Sequence, residues 1–197
     1  MSGAIPIAVS RQRAIDRVIT VMQSQYETTL EDLRTDPENG IEELNLTPPE
    51  EAAYYYAPYP IEDIPKNRFP CVFVYPADRR VLESRASSGP MGSTQFREFQ
   101  LSVALIFRRD GGLQFERNLK TLTTDDIMWL RSEYYTGAMI ETIKKYGCEG
   151  SSIHKINLID DMSQIVETDK RKIFGVVSTT WEIKQNILMP RRQNLPD

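Results

Sequence analysis

The last long run of the chain, residues 171–187, alternates between two kinds of side chain. The even positions include Ser178, Thr180, Glu182, Lys184 and Asn186, and the odd positions are Ile173, Gly175, Val177, Thr179, Trp181, Ile183 and Ile187. A period of two is typical of a β-strand with one buried face and one solvent-facing side. The run carries no nucleophile, metal-ligand cluster or phosphate loop. It therefore indicates a structural building block rather than an enzyme.

Three further segments read as strands. The apolar residues 70–76 are bracketed by prolines and predict a buried strand, and residues 96–107 alternate cleanly. These two are expected to form a hairpin with a long loop. In residues 153–166 the period returns to two, and Ile156, Leu158, Met162 and Val166 are expected to share one face. A turn at residues 168–170 then predicts a hairpin with the closing strand.

Two segments have helical periodicity. Apolar residues recur at steps of three and four between positions 15 and 33, with Ser10 as the expected N-cap and Pro37 beyond the end. A second helical block is expected to start near Thr124 and to break in two at Gly137.

The order of these elements predicts the fold class. We expect an α+β fold with an antiparallel sheet packed against an N-terminal helix and a central helical block. The 197 residues fit a single domain, 1–197. Within it we expect a long irregular insertion at 37–69, a flexible inter-strand loop at 77–95 and a C-terminal tail at 188–197.

The insertion is rich in proline, acidic residues and tyrosine. Its four tyrosines are Tyr54, Tyr55, Tyr56 and Tyr59. Disordered segments are poor in aromatic residues, so this segment is expected to pack on something. The surface on which it packs could belong to its own domain or to a neighbouring subunit, and the sequence does not decide between them.

Two other sets of residues are candidates for a protein interface. Arg79, Arg80 and Arg85 lie on the 77–95 connector, where a protein-binding surface competes with a plain solvated loop. The net charge of −4 argues against nucleic acid as their partner. The second set is Thr180, Glu182 and Lys184, on the polar face of the closing strand.

Catalytic chemistry has little support in the sequence. His154 is the only histidine and has no evident orienting partner. Asp160, Asp161 and Glu167 resemble the carboxylates of a metal-dependent nuclease, but a solvated hairpin explains them better. We therefore predict no catalytic, cofactor-binding or metal-binding residue.

The two cysteines leave one question open. Cys71 lies in an apolar run and is expected to be a buried small hydrophobe, whereas a disulfide with the distant Cys148 stays possible. No apolar run approaches the length of a membrane-spanning helix, and the N-terminus lacks the basic region of a secretory signal.

The element order resembles that of tail terminator and tail-completion proteins of tailed bacteriophages. The resemblance covers nearly the whole chain as a pattern. It is carried by the N-terminal helix, the proline-bracketed strand 70–76, the Arg108-Arg109-Asp110 end of the next strand and Thr180-Trp181-Glu182-Ile183 in the closing pair. The long 37–69 insertion departs from the shorter members.

The resemblance implies a non-enzymatic protein of the virion neck, assembled in the host cytoplasm. Such a protein would form a ring of about six copies that caps the tail tube and joins it to a head–tail connector or another neck protein. A sheath protein would be a further partner if the tail is contractile. DNA would pass through the ring without specific binding, and no membrane would be involved. Two alternatives stay open: a small metal-dependent nuclease that uses Asp160, Asp161 and Glu167, and a monomeric adaptor whose 37–69 segment binds a partner.

Overall fold

Nine strands and two long helices make up the described chain. The computed structural model describes residues 5–6, 10–41, 44–58, 60–77, 82–85, 95–109, 115–117, 120–170 and 172–188. In chain order the elements are β1 (Ile5–Pro6), α1 (Ser10–Thr35), β2 (Tyr54–Tyr55), β3 (Cys71–Pro76), β4 (Leu82–Arg85), β5 (Gln95–Arg108), β6 (Glu116–Arg117), β7 (Lys120–Thr121), α2 (Thr124–Tyr146), β8 (Ile153–Glu167) and β9 (Ile173–Leu188). Three single-turn 3-10 helices lie at Glu51–Ala53, Ile61–Asp63 and Lys66–Arg68. The predicted α+β class is confirmed.

Seven of the described strands form one sheet. Its order is β1-β9-β5-β3-β2, with β8 beside β9 and β4 beside β5. The long strands are antiparallel: β5 pairs with β9 along its whole length, and β8 and β9 form a hairpin. Only the two-residue pairings of β1 with β9 and of β2 with β3 are parallel among these strands. Strands β6 and β7 make a separate small pair.

The helices α1 and α2 cover one face of the sheet, and the main hydrophobic core lies between the two layers. Trp181, Tyr26, Tyr135 and Phe107 are its largest fully buried side chains. The Tyr26 hydroxyl donates a hydrogen bond to the Tyr135 carbonyl oxygen at 3.2 Å, which ties α1 to α2. Without this bond, the buried Tyr26 hydroxyl would have no hydrogen-bond partner, at a cost of about 1–3 kcal/mol.

The alternation of the closing strand is confirmed in β9. Val177, Trp181 and Ile183 are buried on the helix-facing side. The Trp181 indole N–H donates to the Thr179 hydroxyl at 2.8 Å, and this hydroxyl donates to the Val103 carbonyl oxygen at 3.3 Å. The polar atoms inside the layer are therefore paired with each other, as buried polar groups require.

The described part of the 37–69 insertion packs on its own chain. Ile41, Leu44 and Leu46 join the main core, and Ala53 and Ile64 are buried in a second cluster. This second cluster lies on the opposite face of the sheet and also contains Cys71, Phe73, Ala104, Ile106 and Phe174. The insertion thus continues past the sheet edge, where β2 pairs with β3, and covers part of the second face.

The helical block differs from the prediction at Gly137. α2 is continuous through this residue, which is exposed. A glycine in a helix costs about 1 kcal/mol, less than the burial of the apolar face of α2 contributes. The helix begins at Thr124, as predicted, and Thr123 is its N-cap in a capping box with Asp126. Ser10, expected to precede α1, is its first residue.

The strands depart from the prediction in two places. Part of the 77–95 connector is the strand β4, which pairs antiparallel with the first residues of β5. In β8 the pairing skips Ile159, between Leu158↔Trp181 and Asp160↔Thr180. Because one unpaired residue exchanges the two faces of a strand, the prediction that Ile156, Leu158, Met162 and Val166 share a face is wrong. Met162 lies opposite Ser178 on the outer face.

Candidate interaction surfaces

The strand β8 forms a long edge of the sheet. It has 15 residues and pairs, among the described strands, with β9 alone. Much of it is exposed on both faces. Ile159 and Met162 are 49% and 50% exposed, and they are two of the four large hydrophobic side chains found exposed in the described chain. A partner could therefore reach both the backbone and apolar side chains along this edge.

The outer face of β9 places Thr180, Glu182 and Lys184 in one row beside β8. Glu182 accepts a hydrogen bond from the Asn157 amide nitrogen of β8 at 3.2 Å. The Lys184 ammonium lies 2.9 Å from a Glu98 carboxylate oxygen of β5, and it sits 4.9 Å from the Phe96 ring centroid. The structure thus brings these three predicted residues together. Cross-strand contacts orient the two charged ones.

The tyrosines of the insertion have different environments. The Tyr54 hydroxyl donates to the Met22 carbonyl oxygen at 3.3 Å, and burial raises the pKa of Tyr54. The Tyr55 ring stacks on Phe73 at a centroid distance of 5.1 Å. Tyr56 is 53% exposed and is the member of this set best placed to meet a partner. Tyr59 lies outside the described residues.

The arginines of the connector are largely untested by the structure. Arg79 and Arg80 lie outside the described residues. Arg85 is the last residue of β4, and its backbone pairs with Gln95 of β5. These three residues stay predicted interface candidates.

The carboxylates considered for a nuclease do not converge. Asp160 pairs with Thr180 and Asp161 with Thr179, so the two side chains leave β8 on opposite faces. Glu167 lies at the far end of the strand. Within the described residues no group of three His, Cys, Asp or Glu side chains is arranged to hold a metal ion. His154 is exposed and lies 5.2 Å from the Phe96 ring.

Both cysteines are free thiols. Cys71 is fully buried in the second cluster, and burial raises its pKa to about 12. Burial also raises the pKa of Cys148, which is partly exposed. A thiol with a raised pKa forms little thiolate at neutral pH, so neither residue has the character of a nucleophile.

A basic cavity of about 350 Å³ lies at the end of β5, away from the residues predicted from sequence. Its described lining is Asn45, Thr47, Lys66, Phe69, Pro70, Phe107, Arg108, Arg109 and Arg131. Four of these side chains are cationic and none is acidic. Sequence reasoning missed this site because its residues come from three separate segments. The available signal was the Arg108-Arg109 pair at the end of a strand, together with an arginine on the buried face of the second helix.

No protein-family model matches the chain, and no curated protein matches it. Among solved structures, one similar chain belongs to the virion of a native gene transfer agent particle. The sequence identity is 10%, the TM-score is 0.31, and the match covers 69% of this chain and 80% of that chain. Neither the identity nor the TM-score reaches the level at which a common fold or function follows. In the described residues, no helix has the length and apolar character needed to cross a membrane.

Proposed function

We propose that this protein is a structural assembly protein of a tailed phage, a tail terminator that forms a ring at the neck. The observation that carries the proposal is the exposed edge strand β8, with Ile159 and Met162 on it. In this account the protein has no catalytic role. Its residues bind other protein chains.

The edge strand suits assembly because its backbone offers unpaired hydrogen-bonding groups to another chain. A ring requires a heterologous contact, in which one surface of a subunit meets a different surface of the next. A symmetric pairing of β8 with β8 would close at a dimer. In the ring, β8 of each copy therefore docks on another surface of its neighbour, and about six copies close the circle.

The two ends of such a ring would have different partners. One end binds the last ring of the tail tube, and the other binds the head–tail connector or another neck protein. A sheath protein contacts the ring as well if the tail is contractile. The net charge of −4 suits a channel that DNA crosses without specific binding, because basic surfaces retain phosphates strongly.

A pair of substitutions tests the role of the edge. Ile159→Lys with Met162→Lys should abolish ring formation, because lysine on an edge strand blocks pairing with another chain. The control is Trp129→Lys, which alters a side chain of similar exposure, 45%, on α2. Oligomer mass would be measured by sedimentation, for each protein alone and with assembled tail tubes.

The expected result is that wild type and Trp129→Lys form rings and the β8 variant stays monomeric with an unchanged circular dichroism spectrum. Rings of undiminished stability in the β8 variant would contradict the proposal. A wild-type monomer that binds no tube would instead favour a monomeric adaptor.

A further inference from the structure

The basic cavity is built from three parts of the chain. The insertion supplies Asn45, Thr47, Lys66 and Phe69, and Pro70 follows it directly. The end of β5 supplies Phe107, Arg108 and Arg109, and α2 supplies Arg131. The Tyr135 hydroxyl donates to the Thr47 carbonyl oxygen at 3.0 Å, which fastens the insertion to α2 at the cavity. The volume of about 350 Å³ is within the range of small-ligand sites.

Arg131 gives the cavity a buried positive charge. The residue is only 3% exposed. Its guanidinium carbon lies 4.8 Å from the Phe107 ring centroid, and one guanidinium nitrogen donates to the Arg108 carbonyl oxygen at 3.2 Å. These contacts fix the orientation of the planar guanidinium group. A guanidinium group has five N–H donors, so it can donate to an oxyanion in the cavity in addition to its contacts within the protein.

The other cations increase the positive potential at the same place. Lys66 and Arg109 are exposed, and Arg108 is half-buried. Like charges around one concave site raise its potential, and an anion of more than one charge relieves their repulsion. A phosphate group carries about −1.5 to −2 charges at neutral pH and three acceptor oxygens, whereas a carboxylate carries one charge.

We propose that this cavity binds a phosphate group through Arg131, Lys66, Arg108 and Arg109. The phosphate belongs to a small phosphate compound or to a nucleic acid backbone. A backbone phosphodiester carries one negative charge, so several neighbouring phosphates would have to supply the charge that a single terminal phosphate supplies alone. Binding would join the insertion, the sheet and α2 through one ligand. The residues involved are distinct from those of the β8 edge, so the proposal does not depend on ring assembly.

The test is calorimetric titration with pyrophosphate and, separately, with a short DNA duplex, at a constant ionic strength of about 150 mM. The main variant is Lys66→Ala with Arg109→Ala, which changes two exposed side chains and preserves the buried Arg131. Its matched control is Arg13→Ala with Lys144→Ala, which removes the same two residue types at exposed positions outside the cavity. A third variant, Arg131→Met, tests the buried cation if it folds.

Wild type and the control should bind pyrophosphate with equal affinity, and the Lys66/Arg109 variant should bind at least about tenfold more weakly. If wild type instead binds the duplex and not pyrophosphate, and the Lys66/Arg109 variant loses duplex binding, the phosphate is assigned to a nucleic acid backbone. Absence of binding to both ligands, or equal weakening in variant and control, would overturn the proposal.

Discussion

At the scale of single residues, Gly175 and Phe107 show how closely the core is fitted. Gly175 lies opposite Phe107 in the β5–β9 ladder, and a Cβ atom at Gly175 would overlap the Phe107 ring. The ring cannot move away easily, because Tyr135 lies 4.9 Å from it and the Arg131 guanidinium 4.8 Å. The glycine is thus required by packing, which the alternation of the sequence did not reveal.

Gly175→Ala should therefore destabilise the protein by about 1–3 kcal/mol, the usual cost of overpacking a core. Gly137→Ala is the control, because a Cβ at this helix position meets nothing within 4 Å. It should stabilise the protein by about 0.5–1 kcal/mol. Urea unfolding measures both. If Gly175→Ala leaves the free energy of unfolding unchanged, the Phe107 ring is free to shift, and the glycine is not required by packing.

The capping box of α2 makes a second residue-scale prediction. Hydrogen bonds from the Thr123 hydroxyl and backbone N–H lower the pKa of Asp126 from its ordinary value of 3.8. The ionised Asp126 carboxylate therefore stabilises the folded state fully above this ordinary pKa. This stabilisation is lost as the pH falls through the lowered pKa of the folded state. The free energy of unfolding of wild type should exceed that of Asp126→Asn at about pH 6, and the difference should shrink towards about pH 2.5.

Urea unfolding at several pH values checks this prediction. Thr123→Ala, which removes the N-cap side chain, should cost about 1 kcal/mol at neutral pH. A difference between wild type and Asp126→Asn that does not change with pH would contradict the role given to the carboxylate.

At the scale of elements, the packing of the insertion can be tested separately from that of the two helices. Ile64 is buried in the second cluster, and Tyr56 of the same segment is exposed. Ile64→Ala should cost about 2–4 kcal/mol and should speed amide hydrogen exchange in residues 53–76 more than in α1 or α2. Tyr56→Ala should leave exchange unchanged. Equal acceleration throughout the chain would show that the insertion does not open separately.

Most of the long helices and strands could be predicted from the sequence, because their periodicity is strong. The alternation of 171–187 and 96–107 identified β9 and β5, and the stripe from Ile15 to Leu33 identified α1. The bulge at Ile159 was missed, although the alternation breaks there: the apolar pair Leu158-Ile159 is followed by the acidic pair Asp160-Asp161. The prediction of a single apolar face across residues 156–166 did not account for this break. β4 was hidden in a polar connector whose pairing with β5 is set by tertiary contacts.

The candidate sites were predicted less well than the fold. Thr180, Glu182 and Lys184 lie together because strand periodicity alone fixes their common face. Ile159 and Met162 are exposed because of the bulge and because β8 lies at the edge of the sheet. The edge position of a strand is set by tertiary pairing and is not encoded in its periodicity. The basic cavity joins residues as distant in sequence as Asn45 and Arg131, and such a juxtaposition comes only from the packed structure.

At the scale of the whole molecule, the two faces of the sheet are used differently. The helices cover one face, and the insertion covers part of the other with the second cluster. The polar outer face of β9 and the edge of β8 lie beside each other, so the proposed assembly contacts would not require either core to open. This arrangement is what a subunit needs if it folds first and assembles afterwards.

The mass of the assembled particle is the most direct test of ring formation. We expect purified protein, alone or bound to tail tubes, to give a closed ring with about six times the 22.7 kDa mass of the chain. Native mass measurement with negative-stain imaging would detect it. A stable monomer or a two-fold dimer that neither forms rings nor binds the tube would contradict the proposed role as a tail terminator.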